Sequence, residues 1–204
     1  MTLTLYEGPM SPNARKVRLL AAELDLPLER RTLSFAKGEM RAPDYLAKNP
    51  NGMVPTLDDD GFVLWESAAI LRYLAAKRPE RGLVPAEARR AALLDQWLFW
   101  WTSQPEAALM RLAHERLIKP FLGRPGNDPS IVADGEAALD RFLPVLDRQL
   151  AGGGNIIGAL SVVDFAVGAW LDGAAAALTL DFGRYANIGA WLAQLHAKPY
   201  WQGA

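Results

Sequence analysis

The chain has 204 residues, half of them hydrophobic, with 22 basic against 23 acidic side chains. That is long enough for one large domain or two small ones around a real core, and the near-balance of charge argues against a role resting on bulk charge at nucleic acid or a membrane surface. With no cysteine, disulfides, thiolate metal sites and a cysteine nucleophile are excluded, so any sulfur chemistry must use the sulfur of a ligand.

TLTLY, residues 2–6, alternates and is rich in strand formers, so it predicts a first strand. SPNARKVR follows. Ser11 suits a helix N-cap, Pro12 the first helical position, and Ala14, Val17, Leu20, Ala21 and Leu24 make an apolar stripe that stops before Pro27. A second strand is expected over 28–33, a short helix over 44–47, and two short strands over 56–58 and 62–65 joined by an acidic turn at Gly61. A helix over 67–76 closes this α/β unit. KRPERGLVPAE reads as a linker, and everything beyond it reads helical: 88–117 with a bend near Pro105, 131–150 with Pro144 inside, a nearly all-apolar 161–178, and 186–197 before the tail PYWQGA. The expected division is 1–77, a linker at 78–87, and 88–204. His114 and His196 lie far apart without ligand spacing, so no metal site is expected. MTLTLYEG lacks the basic start and apolar block of a signal peptide and no run is long enough to span a bilayer, so the expectation is a cytoplasmic protein.

Taken alone, each candidate site residue has a plain structural use. Ser11 can be a cap, Val54–Pro55 a trans proline opening a strand, Ser67 a cap preceded by Glu66, and the three tryptophans Trp97, Trp100 and Trp101 core. Their order changes the reading. LYEGPMSPNARKVRLLAAEL, NPNGMVPTL, LWESAAILRYL, GALSVVDFAVGAWL and YANIGAWLAQL resemble a glutathione S-transferase of the serine type, in sequence order over essentially the whole chain. The resemblance implies an α/β, thioredoxin-like domain that binds glutathione, an all-α helical-bundle domain that supplies an electrophile pocket, and a homodimer.

The same resemblance implies site roles. Ser11 would donate its hydroxyl to the glutathione sulfur and Asn13 would make a second polar contact there. The rival donor is Tyr6, at the end of the first strand, where other classes of the family place a tyrosine. Val54–Pro55 would be cis, freeing the Val54 backbone to pair with the ligand's peptide. Glu66 and Ser67 would hold the γ-glutamyl ammonium and carboxylate. Arg41, with Lys37 as second choice, would face the glycine carboxylate, both standing even with simple solvated loop charge. Met53 replaces the polar residue often found before the valine, leaving backbone or packing contributions there. Asn51 stands where several classes carry an aromatic that plugs into a partner subunit. Ser161 and Asp164 would form a capping box. Met10, Gln104, Ala108 and Arg111 are the expected pocket residues. Glutathione would be a co-substrate, with no tightly bound cofactor, conjugated to a small hydrophobic electrophile in detoxification or used to reduce a peroxide. The alternative is a non-catalytic ligand-binding or protein-interaction protein of the same fold.

Overall fold

The computed structural model describes residues 3–203; Met1, Thr2 and Ala204, at the outer ends of the expected strand and domains, lie outside them. Strand β1 (Leu3–Glu7) continues into helix α1 (Pro12–Glu23) and strand β2 (Leu28–Thr32), which pairs parallel with β1. A short helix, α2 (Pro43–Leu46), precedes β3 (Thr56–Asp59), β4 (Phe62–Trp65) and helix α3 (Ser67–Ala76). β3 runs antiparallel to β1 and β4 antiparallel to β3, giving the sheet order β2-β1-β3-β4.

Side-chain alternation sorts β1 between the two faces of this sheet. Leu3 and Leu5 enter the core with Val17 and Leu20 of α1 and Ile70 and Leu71 of α3. Glu7, on the same parity, is fully buried and meets Arg18 of α1, with Arg30 Nε 2.6 Å from its second oxygen. Thr4 and Tyr6 therefore point to the opposite face. There the Tyr6 ring packs tilted against Tyr45 of α2, centroids 5.8 Å apart, with Lys48 5.4 Å and Arg31 5.9 Å from its ring.

The helical part begins with α4 (Ala88–Ser103), capped by the Glu87 carboxylate, which accepts from the Arg89 and Arg90 amides at 2.8 and 3.0 Å. The helix expected to run through 88–117 breaks at Gln104, where Pro105 starts α5 (Pro105–Ala113) because proline has no N–H to continue α4. A π-helical turn at His114–Ile118 leads into one short turn, α6 (Lys119–Phe121). α7 (Pro129–Gln149) stays one helix through Pro144. α8 (Val162–Ala177) is the buried central helix and α9 (Ala186–His196) the last. Trp101 is fully buried, and Trp97 and Trp100 pack against the same core, 5.1 Å apart and edge to face.

α1 lies between the sheet and α8 and is covered on both sides. Arg15 and Lys16 therefore meet partners from the helical half instead of water. Arg15 Nη1 lies 2.6 Å from Asp172 of α8, and Arg15 Nη2 donates to the Trp201 carbonyl at 3.0 Å. Lys16, with no exposed surface, places its ammonium 3.1 and 3.3 Å from the two oxygens of Glu106 in the first turn of α5. Burial pushes the Lys16 ammonium below its usual range, against the opposing pull of Glu106 and the charge of Glu66. The segment expected to be a tail is docked as well. Trp201 is fully buried and donates its indole N–H to Asp172 at 3.2 Å.

Breaking a buried ion pair from one side strands the other charge, whereas replacing both members by apolar groups of similar volume is often neutral. Lys16→Met should therefore lower unfolding stability by about 3–5 kcal/mol, and Lys16→Met combined with Glu106→Leu should recover most of it. Urea unfolding of the three proteins checks this; equal losses in the single and double variants would contradict it.

Candidate active site

The turn between β1 and α1 sets the first part of the site. The Ser11 amide donates to the Gly8 carbonyl at 3.0 Å, and Ser11 takes the N-cap position with φ −78° and ψ 115°. Its Oγ accepts from the Ala14 amide at 3.2 Å. A hydroxyl that accepts one bond still has a proton to give, and among the described residues nothing accepts it. Pro12 has no N–H, so the open end of α1 presents the Ser11 hydroxyl and the Asn13 amides. The Asn13 side-chain oxygen accepts from the indole N–H of Trp170, on α8, at 3.0 Å. Tyr6, the rival donor, points into the α2 face of the sheet, away from the helix that Ser11 caps.

Beside this turn lies an apolar shoulder. Met10 is 92% exposed, and the Phe35 ring lies over Gly8 so closely that an added methyl there would sit 2.6 Å from Phe35 Cε2. Phe35 was not among the expected site residues. An isolated aromatic in the loop SFAKGEM was the only sequence signal for it.

The second part precedes β3. The Val54–Pro55 peptide bond is cis. Among the described residues, neither the Val54 amide nor its carbonyl is hydrogen-bonded. The adjoining backbone is firmly held. Tyr45 Oη and Asn49 Nδ2 donate to the Met53 carbonyl at 2.5 and 2.8 Å, and both also reach Thr56 Oγ1, at 2.9 and 3.1 Å. Desolvation raises the Tyr45 hydroxyl above its usual range, so it stays a donor. The Met53 side chain is exposed, Val54 is half-buried and Pro55 is buried. Arg41 is exposed and donates to the Asn51 carbonyl at 3.4 Å, beside Gly52, whose φ of 59° suits glycine. Lys37 is exposed on the same loop. Asn51 is exposed too and is turned back onto Asn49 Oδ1 at 3.1 Å.

The third part is the start of α3. The expectation of Ser67 as N-cap needs correcting: Glu66 holds that position, because its carbonyl accepts the Ile70 amide at 2.9 Å, and Ser67 is already the first helical residue. Glu66 has φ 68° and ψ 106°, an uncommon backbone for a non-glycine residue. Its side chain caps nothing. The amides of Ser67, Ala68 and Ala69 bond to no acceptor among the described residues, which is the donor set a carboxylate binds at a helix start.

The pocket expectations separate. Met10, Gln104 and Arg111 are exposed, but Ala108 is removed from the set: it is wholly buried in the core because its face of α5 packs inward with Leu109 and Leu112. Ser161 and Asp164 lie far along the chain as a buried hub. The Asp164 carboxylate accepts from the Ser161 amide and hydroxyl, each at 2.9 Å, from the Ile156 amide at 3.0 Å and from the Trp191 indole at 3.2 Å. Ser161 thus donates to the carboxylate rather than accepting, and burial pushes the Asp164 carboxyl above its usual range.

Residues 1–76 match the family model described as the N-terminal domain of glutathione S-transferase. A probable glutathione S-transferase of rice (Oryza sativa subsp. japonica) is 30% identical over 201 residues, spanning 97% of this chain and 93% of the relative. The chain belongs to the glutathione S-transferase family. A second member, from Hypomyces subiculosus, is 33% identical over 209 residues and spans 98% of this chain and 96% of its own. Among solved structures, maize glutathione S-transferase I in complex with an atrazine glutathione conjugate superposes with a TM-score of 0.85 at 29% identity, covering 100% of this chain and 96% of that one. A Pseudomonas fluorescens family member gives 0.86, also at 29%, covering 98% and 96%. The α/β part is accordingly the thioredoxin-like half of a glutathione transferase, and the remainder is its helical half. Among the described residues no helix is long and apolar enough to cross a membrane.

As a cap alone, Ser11 has a measurable worth. Ser11→Ala should lower stability by about 1 kcal/mol, and Ser11→Gly by only a few tenths. Thermal unfolding of the two variants checks this, and an unchanged Ser11→Ala would remove the cap.

Proposed function

We propose that this transferase activates the glutathione thiol at Ser11 for attack on a small apolar electrophile, or on a hydroperoxide. One observation carries the reading: the Ser11 hydroxyl accepts from Ala14 at the open end of α1 while its own proton stays uncommitted. A free thiol titrates near ~8.5, and donors at a helix N-terminus lower that value. Ser11 is then a hydrogen-bond donor to thiolate, with Asn13 beside it; no base in the sequence neighbourhood makes it a nucleophile. The Val54 amide and carbonyl would pair with the ligand's peptide as an added strand does. The donors at the start of α3 with Ser67 would take the γ-glutamyl carboxylate, and Glu66 its ammonium. Arg41 would face the glycine end, with Met53 contributing backbone and packing. Met10, Phe35, Gln104 and Arg111 would border the second substrate. Residues 1–77 form the glutathione-binding domain in this reading, 78–87 the linker and 88–204 the domain that supplies the electrophile pocket.

The partner in solution would be a second copy. Phe62 and Trp65 on β4 and Leu93 and Phe99 on α4 are exposed. α3 joins the two elements, since Tyr73 touches Phe62 at 5.2 Å and Arg72 pairs with Asp95. The aromatic key missing at Asn51 leaves this apolar face as the seal. Sedimentation velocity should give a dimer, shifted to monomer by Trp65→Glu with Phe99→Glu; a monomeric wild type would end this part of the reading.

Ultraviolet titration of enzyme-bound thiolate tests the chemistry. Ser11→Ala removes a charge-assisted hydrogen bond and should raise the bound thiol's pKa by about one to two units, slowing conjugation near neutral pH about ten- to a hundred-fold. Tyr6→Phe should leave the curve in place. Ser67→Ala should instead weaken glutathione binding about five- to thirty-fold. A curve that moves with Tyr6→Phe and not with Ser11→Ala would reverse the assignment.

A further inference from the structure

Trp170 lies on α8, in the helical half, with only 3% of its surface exposed. Its indole N–H donates to the Asn13 side-chain oxygen at 3.0 Å, across 157 residues of sequence. An indole nitrogen can only donate, so the atom it meets on Asn13 must be the acceptor. This fixes an assignment that a carboxamide otherwise leaves open, because its oxygen and nitrogen are nearly alike in shape. With Oδ1 held by Trp170, the remaining end of Asn13 is the NH2 group. Among the described residues it bonds to no protein acceptor.

The consequence is chemical. Asn13 is two residues beyond the cap, at the end of α1 where Ser11 stands. A carboxamide free to rotate could turn either end outward. Oxygen outward would repel a thiolate; NH2 outward would hydrogen-bond it. The geometry points to Trp170 as a positioning residue that locks the Asn13 amide with its NH2 toward the bound sulfur, so that the helical half contributes to thiolate stabilisation in the other domain. This deepens the reading of Ser11 and Asn13 above and rests on it. Trp170 touches no reacting atom in this scheme and acts only through Asn13.

The test is the ultraviolet titration of glutathione bound to wild type, Trp170→Phe, Asn13→Ala and the double variant. Trp170→Phe keeps an aromatic ring in the core and removes the N–H. It should raise the bound thiol's pKa by about half to one unit, a ~3- to 10-fold fall in the thiolate-to-thiol ratio. In the Asn13→Ala background the same change should add nothing, since the residue it acts through is gone. Equal shifts in both backgrounds would mean that Trp170 acts by packing, and would overturn the inference. A shift with Asn13→Ala but none with Trp170→Phe would overturn it while leaving Asn13 at the sulfur. No shift with Asn13→Ala would overturn both that reading of Asn13 and this one.

Asn13→Asp supplies an arm that leaves the core untouched. It keeps an oxygen for Trp170 but replaces the NH2 with a second oxygen bearing charge. It should raise the thiol pKa further than Asn13→Ala does; an Asn13→Asp curve matching wild type would show that the NH2 does not face the sulfur.

Discussion

Lys16 and Glu106 are two charges withdrawn from water at the seam between the α/β and helical halves, each tolerable there only because of the other. A hydrophobic seam can slide by a residue or rotate by a few degrees with little penalty. An ammonium facing both oxygens of one carboxylate cannot. Since Lys16 lies on the helix that starts at Ser11, fixing its azimuth also fixes where Ser11 and Asn13 point. Arg15 with Asp172 and Asn13 with Trp170 add further ties along the same helix. The end of α1 that carries Ser11 is thus held by the sheet on one side and by α5 and α8 on the other.

The rest of the site is mostly backbone. The Val54 amide and carbonyl, and the first-turn amides of α3, are groups that any sequence of this shape presents. Their placement depends on a few buried side chains, above all Tyr45 and Asn49 bracing the Met53 carbonyl. Recognition through main-chain groups tolerates wide change in the side chains around it. Met53, whose carbonyl is braced by Tyr45 and Asn49, and Asn51, whose side chain turns back on its own loop, depart from the residues common in the family.

Much of this was legible in the chain. The strands, the switch from α/β to all-helical and the start of α1 at Ser11-Pro12 follow from alternation, apolar spacing and proline position. Most of what escaped depended on burial of polar residues or on the direction of a face. Lys16 and Arg18 flank a stripe drawn through Val17 and Leu20 and read as solvated until Glu106 of the helical half covers the one and Glu7 of β1 receives the other. Trp170 sits in a helix apolar on nearly every side, where nothing distinguishes an indole that packs from one that also donates. Ser67 against Glu66 as N-cap is a one-residue ambiguity, decided by the positive φ of Glu66, which a serine beside it conceals. Ala108 fell on the wrong side of α5 because helical spacing gives a face but not its direction. Phe35 stands alone in a loop, and only its seat over Gly8 ties it to the turn before α1.

The docked end of the chain has a bearing on biosynthesis. Trp201 closes over Asp172 and receives Arg15 through a contact that spans 186 residues. Domains emerging from the ribosome fold as units, the N-terminal one first. Before the helical half is translated, α1 can be covered by the sheet and α3 on one side only, with Lys16 and Arg15 facing water. Its second side closes after α5, α8 and finally residue 201 have been translated. In the proposed reading, the backbone groups before β3 and at the start of α3 are in place during that interval, while the Ser11 end of α1 is still open on the side that Trp170 and Asp172 later cover.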